Sequence, residues 1–469
     1  MAFSLGVVGM PATYRHGYLS RVYFASVCRC GLCLEGQPSL FNQAPEPVPH
    51  SQDTKRPISA SNAPTAKQAP FTSLAVANYR WFWLSGLAAG FAMQMRQIAR
   101  GWLVYGISGS PLALAVVMSS MGVSMTFLSP IGGAIADRLS KRNIIFATSL
   151  ISGLSNLVVA FLISQDLIQL WHLFLISFLD GIFNAFNLPS RQGIIPSLVD
   201  RNRVVNAVAL SRGAMNVSRI MAPALAGLLI PLIELQGVYL VMAFFNAVAA
   251  VTIIALTTSG TNQGDWKDWH LHREVFRGLG YVASNRVLRL IVLLGFTAIV
   301  LGMGFQVLLP AFVVEAFQGD ATDMGILLAF SGTGGLLGSL GLAFLGNPRR
   351  KGIILLGAVF LWAIAVFLFS LTRDSVSASA MLLLVGFASS VFMSMDMAVM
   401  QLLSSPDMYG RVMSVREMTW GLMPVGIIPM SAMATHVGTP QALMGAAVLL
   451  LVMAMLFSLA SKTVRRLET

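Results

Sequence analysis

The stretch of sequence that decides the fold is GGAIADRLSKR, residues 132–142, which separates two long apolar runs. Its glycine pair lets two helices approach each other closely inside a membrane. Its bases are typical of the cytoplasmic headgroup level of a bilayer. Its single acid, Asp137, can interact with a helix N-terminus or with a base. The pattern predicts a short charged hinge between two membrane-spanning helices.

The composition of the whole chain indicates a membrane protein. The 469 residues are 56% hydrophobic and only 11% charged, whereas a soluble domain is about half apolar and a quarter charged. A net charge of +12 would suggest a nucleic-acid partner in a soluble protein, but here the bases fall in loops between apolar segments and set the topology. We therefore expect a polytopic protein in a lipid bilayer, without a nucleic-acid partner. A monomer is a separate expectation.

About twelve apolar segments of spanning length follow Tyr79, each near 20 residues or slightly longer. Runs of this length predict helices, because the strands of an outer-membrane barrel are shorter and alternate in hydrophobicity. The predicted fold is all-α, with spans at 81–106, 112–136, 143–164, 170–190, 204–231, 237–258, 287–310, 323–346, 351–372, 377–401, 411–435 and 439–461.

Charges in the connections between these spans predict the orientation. One side carries the bases Arg138, Lys141, Arg142, Arg191, Arg201, Arg203, Lys267, Arg273, Arg277, Arg349, Arg350, Lys351, Lys462, Arg465 and Arg466. The other side carries Asp166, Glu234, Glu315, Asp320, Asp323 and Asp374, with Arg373 as its one clear base. Because cytoplasmic loops are enriched in Lys and Arg, both termini are predicted in the cytoplasm of a protein of the cell membrane.

The longest internal connection, residues 259–286, is polar and divides the chain into two similar halves. The basic pair Lys141-Arg142 has its counterpart in Arg349-Arg350, whereas Leu345 occupies the place of the acid in the second copy. The predicted organisation is a disordered tail over 1–72, a six-helix bundle over 73–258, a cytoplasmic linker over 259–286 and a second six-helix bundle over 287–469.

The charged hinge resembles the Gly-x-x-x-Asp-Arg-x-Gly-Arg/Lys-Arg/Lys motif of the major facilitator superfamily, with Ser140 in place of the second glycine. The resemblance covers nearly all of 73–465 and implies two pseudo-symmetric six-helix bundles that face each other. It also implies that the acid docks near the cytoplasmic start of the eleventh helix when the cavity opens outward. The gating residues that the resemblance implies are Gly133, Asp137, Arg138, Lys141, Arg142 and Arg411.

Charged side chains inside spanning helices are costly and are candidates for function. The superfamily resemblance implies that the first, fourth, seventh and tenth helices line a central cavity, which makes Arg96, Asp180 and Asp396 candidates for its wall. Alternatively, such charges form buried ion pairs that hold the helices in register. An isolated carboxylate at this depth would take a proton, so Asp180 is predicted either to titrate or to pair with a base from the first or fifth helix.

Further charges lie in the other spans. Arg219 in the fifth span and Glu417 in the eleventh complete the candidate cavity and coupling residues. For Arg212 we expect a structural ion pair. Arg100 is expected near the outer interface, where a long basic side chain can reach the headgroups.

The fifth span also carries SRIMAPALAG, residues 218–227, which resembles the Gly-x-x-x-Gly-Pro-x-x-Gly-Gly signature of the superfamily's exporters. The proline removes one backbone hydrogen bond and permits a kink, and small residues allow close helix packing. The residues of this exporter-type motif are Ser218, Ala222, Pro223, Ala226 and Gly227. Residues 189–196 and 409–414 resemble the branch that contains the enterobactin exporter and related drug exporters.

The sequence shows no catalytic constellation and no Walker loop, so neither an enzyme nor ATP-driven transport is predicted. Cys28, Cys30 and Cys33 are one ligand short of a structural zinc site, and no metal or cofactor is predicted. The predicted function is secondary active transport: proton-coupled export of small amphiphilic molecules, of drug or siderophore type, by alternating access. An importer or lipid flippase of the same fold, or a membrane protein that binds a ligand without transporting it, remain the alternatives.

Overall fold

The computed structural model describes residues 72–136, 139–258, 271–346, 348, 350–405 and 408–460. All regular structure in these ranges is helical. The α-helices are α1 (Ala77–Ser108), α2 (Pro111–Ala136), α3 (Lys141–Ser164), α4 (Leu170–Leu198), α5 (Val204–Ile254), α6 (Leu271–Ser284), α7 (Arg286–Gly302), α8 (Gly304–Phe317), α9 (Ala321–Leu345), α10 (Lys351–Leu371), α11 (Ser375–Leu403), α12 (Tyr409–Gly421), α13 (Pro424–Val437) and α14 (Thr439–Ala460). The three cysteines and the hinge residues Asp137 and Arg138 lie outside the described residues.

Nine helical stretches among the described residues are long and apolar enough to cross a membrane. One of them, Arg201–Ile254, has 54 residues and is interrupted at Glu234, whose φ of 57° and ψ of 174° end one helix and begin the next. It therefore accounts for two crossings. α1 and the pair α12–α13 have spanning length but carry charged side chains that lower their hydropathy. The predicted all-α membrane fold is confirmed, and twelve spans fit it.

Two of the predicted spans contain a break. The seventh consists of α7 and α8, which meet at Met303 and continue to Phe317, beyond the predicted end at 310. The eleventh consists of α12 and α13, and α13 begins with Pro424, which has no N–H to continue the preceding helix. Such breaks are tolerated in a membrane where the interrupted backbone is buried in protein.

The described helices pack in two halves that repeat the same pairings. In the N-terminal half, α2 packs on α4, and α3 packs on the second part of α5. In the C-terminal half, the corresponding pairs are α9 with α11 and α10 with α14. The contacts between the halves follow the same symmetry, because α5 packs on α9 and α2 packs on α13. A pseudo-twofold axis relates the second span to the eighth and the fifth to the eleventh. It therefore converts one of these two contacts into the other.

The spans alternate in direction, so their connections lie at two opposite ends of the bundle. We call the end with Asp166, Glu234, Glu315, Asp320 and Asp374 the acidic end, and the end with Lys141, Arg203, Arg350 and Arg411 the basic end. At the basic end, Asn78 of α1 donates a hydrogen bond of 2.9 Å to Thr257, just after α5. There, too, Tyr281 of α6 accepts one of 3.3 Å from the amide of Ser405, after α11. α6 lies within the predicted linker, whose residues 259–270 are outside the described residues.

Candidate functional site

A buried ion cluster joins α1 and α4 in the N-terminal half. Arg96 Nη1 donates to Asp180 Oδ1 at 2.6 Å, and Arg100 Nη2 donates to Asp180 Oδ2. The two arginines are one helical turn apart, so both reach the same carboxylate. Arg100 also donates to Ser177 Oγ at 3.0 Å. Of the two outcomes predicted for Asp180, the structure has the pairing with the first span.

The position of Arg100 corrects the sequence prediction. It was expected near the outer interface, but only 4% of it is exposed, and its guanidinium binds Asp180. The carboxylate offsets the cost of burying the arginine, and sequence alone could not show that the two residues meet. Two guanidiniums share one carboxylate, so the cluster carries excess positive charge. The Nε atoms of Arg96 and Arg100 are buried and have no hydrogen-bond partner among the described residues.

The C-terminal half has a buried ion pair on the equivalent span. Asp396 of α11 accepts a hydrogen bond of 2.9 Å from Arg416 Nε of α12, and the exposed fractions of their side chains are 4% and 11%. Gly295 of α7 lies next to the carboxylate, and a Cβ added there would make an ordinary van der Waals contact, at 3.4 Å, with Asp396 Oδ1. The side chain of Glu417, a candidate coupling residue of the eleventh span, lies outside the described part of the structure. Its coupling role stays a prediction.

A polar cavity of about 90 Å³ lies between α1, α3, α4 and α5 of the N-terminal half. The larger apolar side chains of its wall are those of Met93, Phe183, Leu188 and Met215. Its polar lining consists of Arg96, Thr148, Ser149, Ser152, Asn184, Asn187, Arg191 and Asn246. The cavity thus combines cationic and neutral hydrogen-bonding groups with an apolar surface.

Arg191 lies in the wall of this cavity rather than in a loop, which corrects the sequence prediction. It was placed in a basic loop after a span ending at 190, but α4 continues to Leu198 through Pro189 and Pro196. Arg191 Nε donates to Asn187 Oδ1 at 2.9 Å, and Nη2 donates to Ser85 Oγ at 3.2 Å. Its Nη1 atom is buried and has no hydrogen-bond partner among the described residues. The sequence signal for the longer helix is the Pro-Ser-Arg stretch at 189–191. A proline inside a membrane does not end a helix as it does in water.

Arg212 and Arg219 share one face of α5 with Met215, which lines the cavity. Arg212 and Arg219 are three residues before and four residues after Met215, spacings that share one helix face. Both are exposed although α5 is a spanning helix. The structural ion pair expected for Arg212 is absent from the described residues. Arg219 remains a candidate cavity residue.

The exporter-type motif of α5 contacts two different helices. Ser218 faces α1, because a Cβ added at Gly90 would lie 2.7 Å from Ser218 Oγ. Ala222 and Ala226 follow at intervals of four residues and are completely buried. Pro223 and Gly227 instead face α9 of the other half, where a Cβ added at Gly325 would lie 2.8 Å from the carbonyl oxygen of Pro223. The small residues of the motif therefore serve packing within one half and between the halves.

Pro223 also explains why α9 approaches the backbone of α5 closely one turn earlier, at Arg219. It has no N–H, so the carbonyl of Arg219 has no helical partner four residues later. Gly332 of α9 lies against this carbonyl, since an added Cβ would be 2.9 Å from its oxygen. The described part of the α5–α9 contact therefore extends from the acidic end to the middle of the spans.

At the acidic end, Glu315 connects several elements. It accepts hydrogen bonds from the Thr439 amide at 2.7 Å and hydroxyl at 2.8 Å, and Tyr105 of the N-terminal half donates to it at 3.5 Å. Sequence analysis treated Glu315 only as a topology signal. Nearby, Asp374 caps α11, and hydrogen bonds from the Ser377 hydroxyl and amide hold the pKa of the Asp374 carboxyl below its usual value.

At the basic end, the hinge motif is described in part. Lys141 begins α3, is only 2% exposed, and packs against Gly193 of α4. Arg142 Nη2 donates to the carbonyl of Ile254, the last residue of α5, at 2.6 Å. Arg411 lies in the first turn of α12 and is half-buried. Gly133 lies near the end of α2. The gating roles of these residues stay predictions.

Comparisons with known proteins agree with this architecture. The family described as "Transmembrane secretion effector" matches residues 68–468. Macrolide efflux protein A of Streptococcus pyogenes is 24% identical over 340 residues, which cover 71% of this chain and 83% of the relative. The enterobactin exporter EntS of Shigella boydii is 22% identical over 284 residues, which cover 60% of this chain and 67% of that protein. The crystal structure of the nucleoside transporter NupG has the same fold, with a TM-score of 0.68 and 16% identity over 82% of this chain and 100% of its own.

Proposed function

The chain belongs to the transmembrane secretion effector family of the major facilitator superfamily, and from this membership we propose that it exports small amphiphilic molecules by alternating access, driven by proton antiport. Its place among membrane transporters of the efflux branch confirms the resemblance found in the sequence. The proposal adds the direction, the mechanism and the driving force.

The observation that carries the proposal is the contact of the two halves along α5 and α9. This contact extends from Gly227 and Gly325 at the acidic end to Arg219 and Gly332 in mid-span. The charged cluster and the polar cavity lie beside it in the N-terminal half. In alternating access this arrangement corresponds to a state closed at the acidic end, and transport requires the α5–α9 contact to separate.

Export is the proposed direction because the exporter-type motif lies in that contact. Pro223 and Gly227 meet α9 directly. The relatives named as a macrolide efflux protein and an enterobactin exporter support the same direction. The basic loops support a cell-membrane orientation with both termini in the cytoplasm, so the acidic end faces outward.

Proton coupling is proposed to act through Asp180, with Asp396 as the second candidate. Both carboxylates are buried and held by arginines in this state, which stabilises their charged form. If α1 shifts against α4, or α12 against α11, and the arginines withdraw, a buried carboxylate without a cation takes a proton. The arginine pairs thereby couple the conformation to protonation.

The test uses the purified chain in proteoliposomes with a pH gradient of either sign and a panel of amphiphiles that includes a macrolide and a catecholate. We expect one class of compound to accumulate against its gradient, with proton movement in the opposite direction. Empty liposomes and a protonophore are the controls. Accumulation in the opposite direction would favour an importer, and binding without movement would favour a non-transporting protein.

A further inference from the structure

We propose that the polar cavity between α1, α3, α4 and α5 is a subsite for an anion, and that it binds the carboxylate of an amphiphilic acid. Arg191 is the main anchor, and Arg96 also lines the cavity. The inference rests on the proposed function, because it assigns a chemical class to the transported molecule.

The charge around the cavity is the first reason. Two guanidiniums, those of Arg96 and Arg191, line it. The only described carboxylate within hydrogen-bond distance of either arginine is that of Asp180, which Arg96 shares with Arg100. The described hydrogen bonds of the Arg191 side chain go to the neutral Asn187 and Ser85. A cation inside a spanning bundle is costly unless an anion meets it, and the described residues supply too few anions.

The fixed geometry of Arg191 is the second reason. Asn187 holds Nε at 2.9 Å and Ser85 holds Nη2 at 3.2 Å, so the plane of the guanidinium is set. The remaining nitrogen, Nη1, is buried without an acceptor. A buried donor without a partner is unfavourable, and a carboxylate oxygen is its strongest acceptor. Arg96 Nε is a second buried donor without an acceptor.

The rest of the wall specifies what the anion is attached to. Asn184, Asn246 and Ser149 offer neutral hydrogen-bonding groups that do not cancel the positive charge. Met93 and Met215 also belong to the wall and are 37% and 44% exposed. Methionine surfaces adapt to apolar bodies of varied shape. A volume of about 90 Å³ accepts a carboxylate group, and the apolar remainder of the molecule then lies along the methionines.

The test measures equilibrium binding to the purified full-length protein in detergent by isothermal titration calorimetry at neutral pH. Three probes share one ring system: 2-naphthoate, the neutral 2-naphthamide and the cationic 2-naphthylmethylammonium. We expect 2-naphthoate to bind at least about tenfold more tightly than the amide, because charge-assisted hydrogen bonds are about twice as strong as neutral ones. The cation is expected to bind most weakly.

Two variants separate the role of Arg191 from a loss of folding. Arg191→Gln removes the anchor, and it should reduce naphthoate affinity to that of the amide. Asn187→Asp keeps Arg191 but places a carboxylate beside its Nε, so it should abolish the preference for the acid. Arg191→Lys should retain part of the preference. The matched control is Arg201→Gln, since Arg201 is exposed in the turn after α4 and lies outside the cavity wall.

Equal affinity of wild type for the acid and the amide would overturn the inference. So would an acid preference that survives in both Arg191→Gln and Asn187→Asp. If Arg191→Gln does not fold, the result for Asn187→Asp decides. The proposed function can fail independently of the subsite. Acid-selective binding without movement in proteoliposomes would contradict transport. Transport of neutral and cationic amphiphiles without a preference for acids would contradict only the anion subsite.

Discussion

Gly227 of α5 and Gly325 of α9 lie backbone to backbone across the boundary between the two halves. A Cβ added at either glycine would lie 2.9 Å from the Cα of the other. No side chain larger than hydrogen fits this contact without displacing a helix. In the proposed alternating-access cycle, the distance between these two helices near the acidic end would distinguish the closed state from the open one.

Gly325→Ala is therefore expected to open the acidic end. Its new Cβ would be 2.8 Å from the carbonyl oxygen of Pro223, a backbone atom that cannot move without the helix. Overpacking of this kind costs about 1–3 kcal/mol. Spin labels at Leu167 and Val376, exposed positions at the acidic end of the two halves, should show a longer distance.

The control is Gly357→Ala on α10, where an added Cβ meets nothing within 4 Å. It should change neither the label distance nor the melting temperature. An unchanged distance in Gly325→Ala, with normal folding, would show that the glycine contact does not set the closed state.

Asp180→Asn is expected to destabilise the protein as well as to stop transport driven by a pH gradient. It leaves the guanidiniums of Arg96 and Arg100 buried without the carboxylate that both bind. Breaking a buried ion pair costs about 3–5 kcal/mol. The measurements are thermal unfolding in detergent and pH-driven efflux in proteoliposomes.

A second substitution distinguishes stability from coupling. Arg100→Gln removes the excess cation, so adding it to Asp180→Asn should recover part of the lost stability. Transport should stay absent if Asp180 carries the proton. Recovery of both stability and pH-driven transport would assign Asp180 a structural role only.

The sequence could predict that Asp180 would pair or titrate, but it could not predict which bases Asp180 pairs with. Apolar length is a local property, so segments of spanning length could be located. The cost of an intramembrane charge predicted that Asp180 would either pair or titrate. The identity of its partners depends on how α1 lies against α4. Two arginines one turn apart fit one carboxylate, but the prediction places Arg100 at the outer interface instead of beside Arg96.

The cavity and the glycine contact were beyond sequence analysis for the same reason. Arg191 and Ser85 are 106 positions apart, and Gly227 meets a helix that begins after the linker. The predicted end of the fourth span at 190 is also too early, because α4 continues through Pro189 and Pro196 to Leu198. The cavity and the glycine contact depend on tertiary structure, whereas the end of α4 depends on how a membrane helix accommodates proline.

Topology gives a third prediction, which tests the assignment of the acidic end to the outside. After replacement of Cys28, Cys30 and Cys33 by serine, single cysteines are placed at Val376 and at Val205, each 81% exposed. A membrane-impermeant maleimide added to intact cells should label Val376→Cys and not Val205→Cys, because basic loops remain in the cytoplasm. The reverse labelling pattern would place the acidic end in the cytoplasm, and the proposed direction of transport would be reversed.

The last prediction concerns Asp137, which the family resemblance implies docks at the start of the eleventh span when the cavity opens outward. That start lies in the first turn of α12, where Arg411 is half-buried. A carboxylate at an exposed helix N-terminus is stabilised by about 0.3–1 kcal/mol, enough to shift two states that differ by a few kcal/mol. Asp137→Asn should therefore favour the state closed at the acidic end and slow transport.

The internal control is Leu345, which stands in the second half where its acid would be. It is the last residue of α9 and is 59% exposed, so the second half cannot form the symmetric carboxylate contact onto α5. Leu345→Asn should leave transport and the label distance between positions 167 and 376 unchanged, because it removes no charge. If the two substitutions shift that distance equally, the effect belongs to the amide rather than to the lost carboxylate, and Asp137 does not act as a latch.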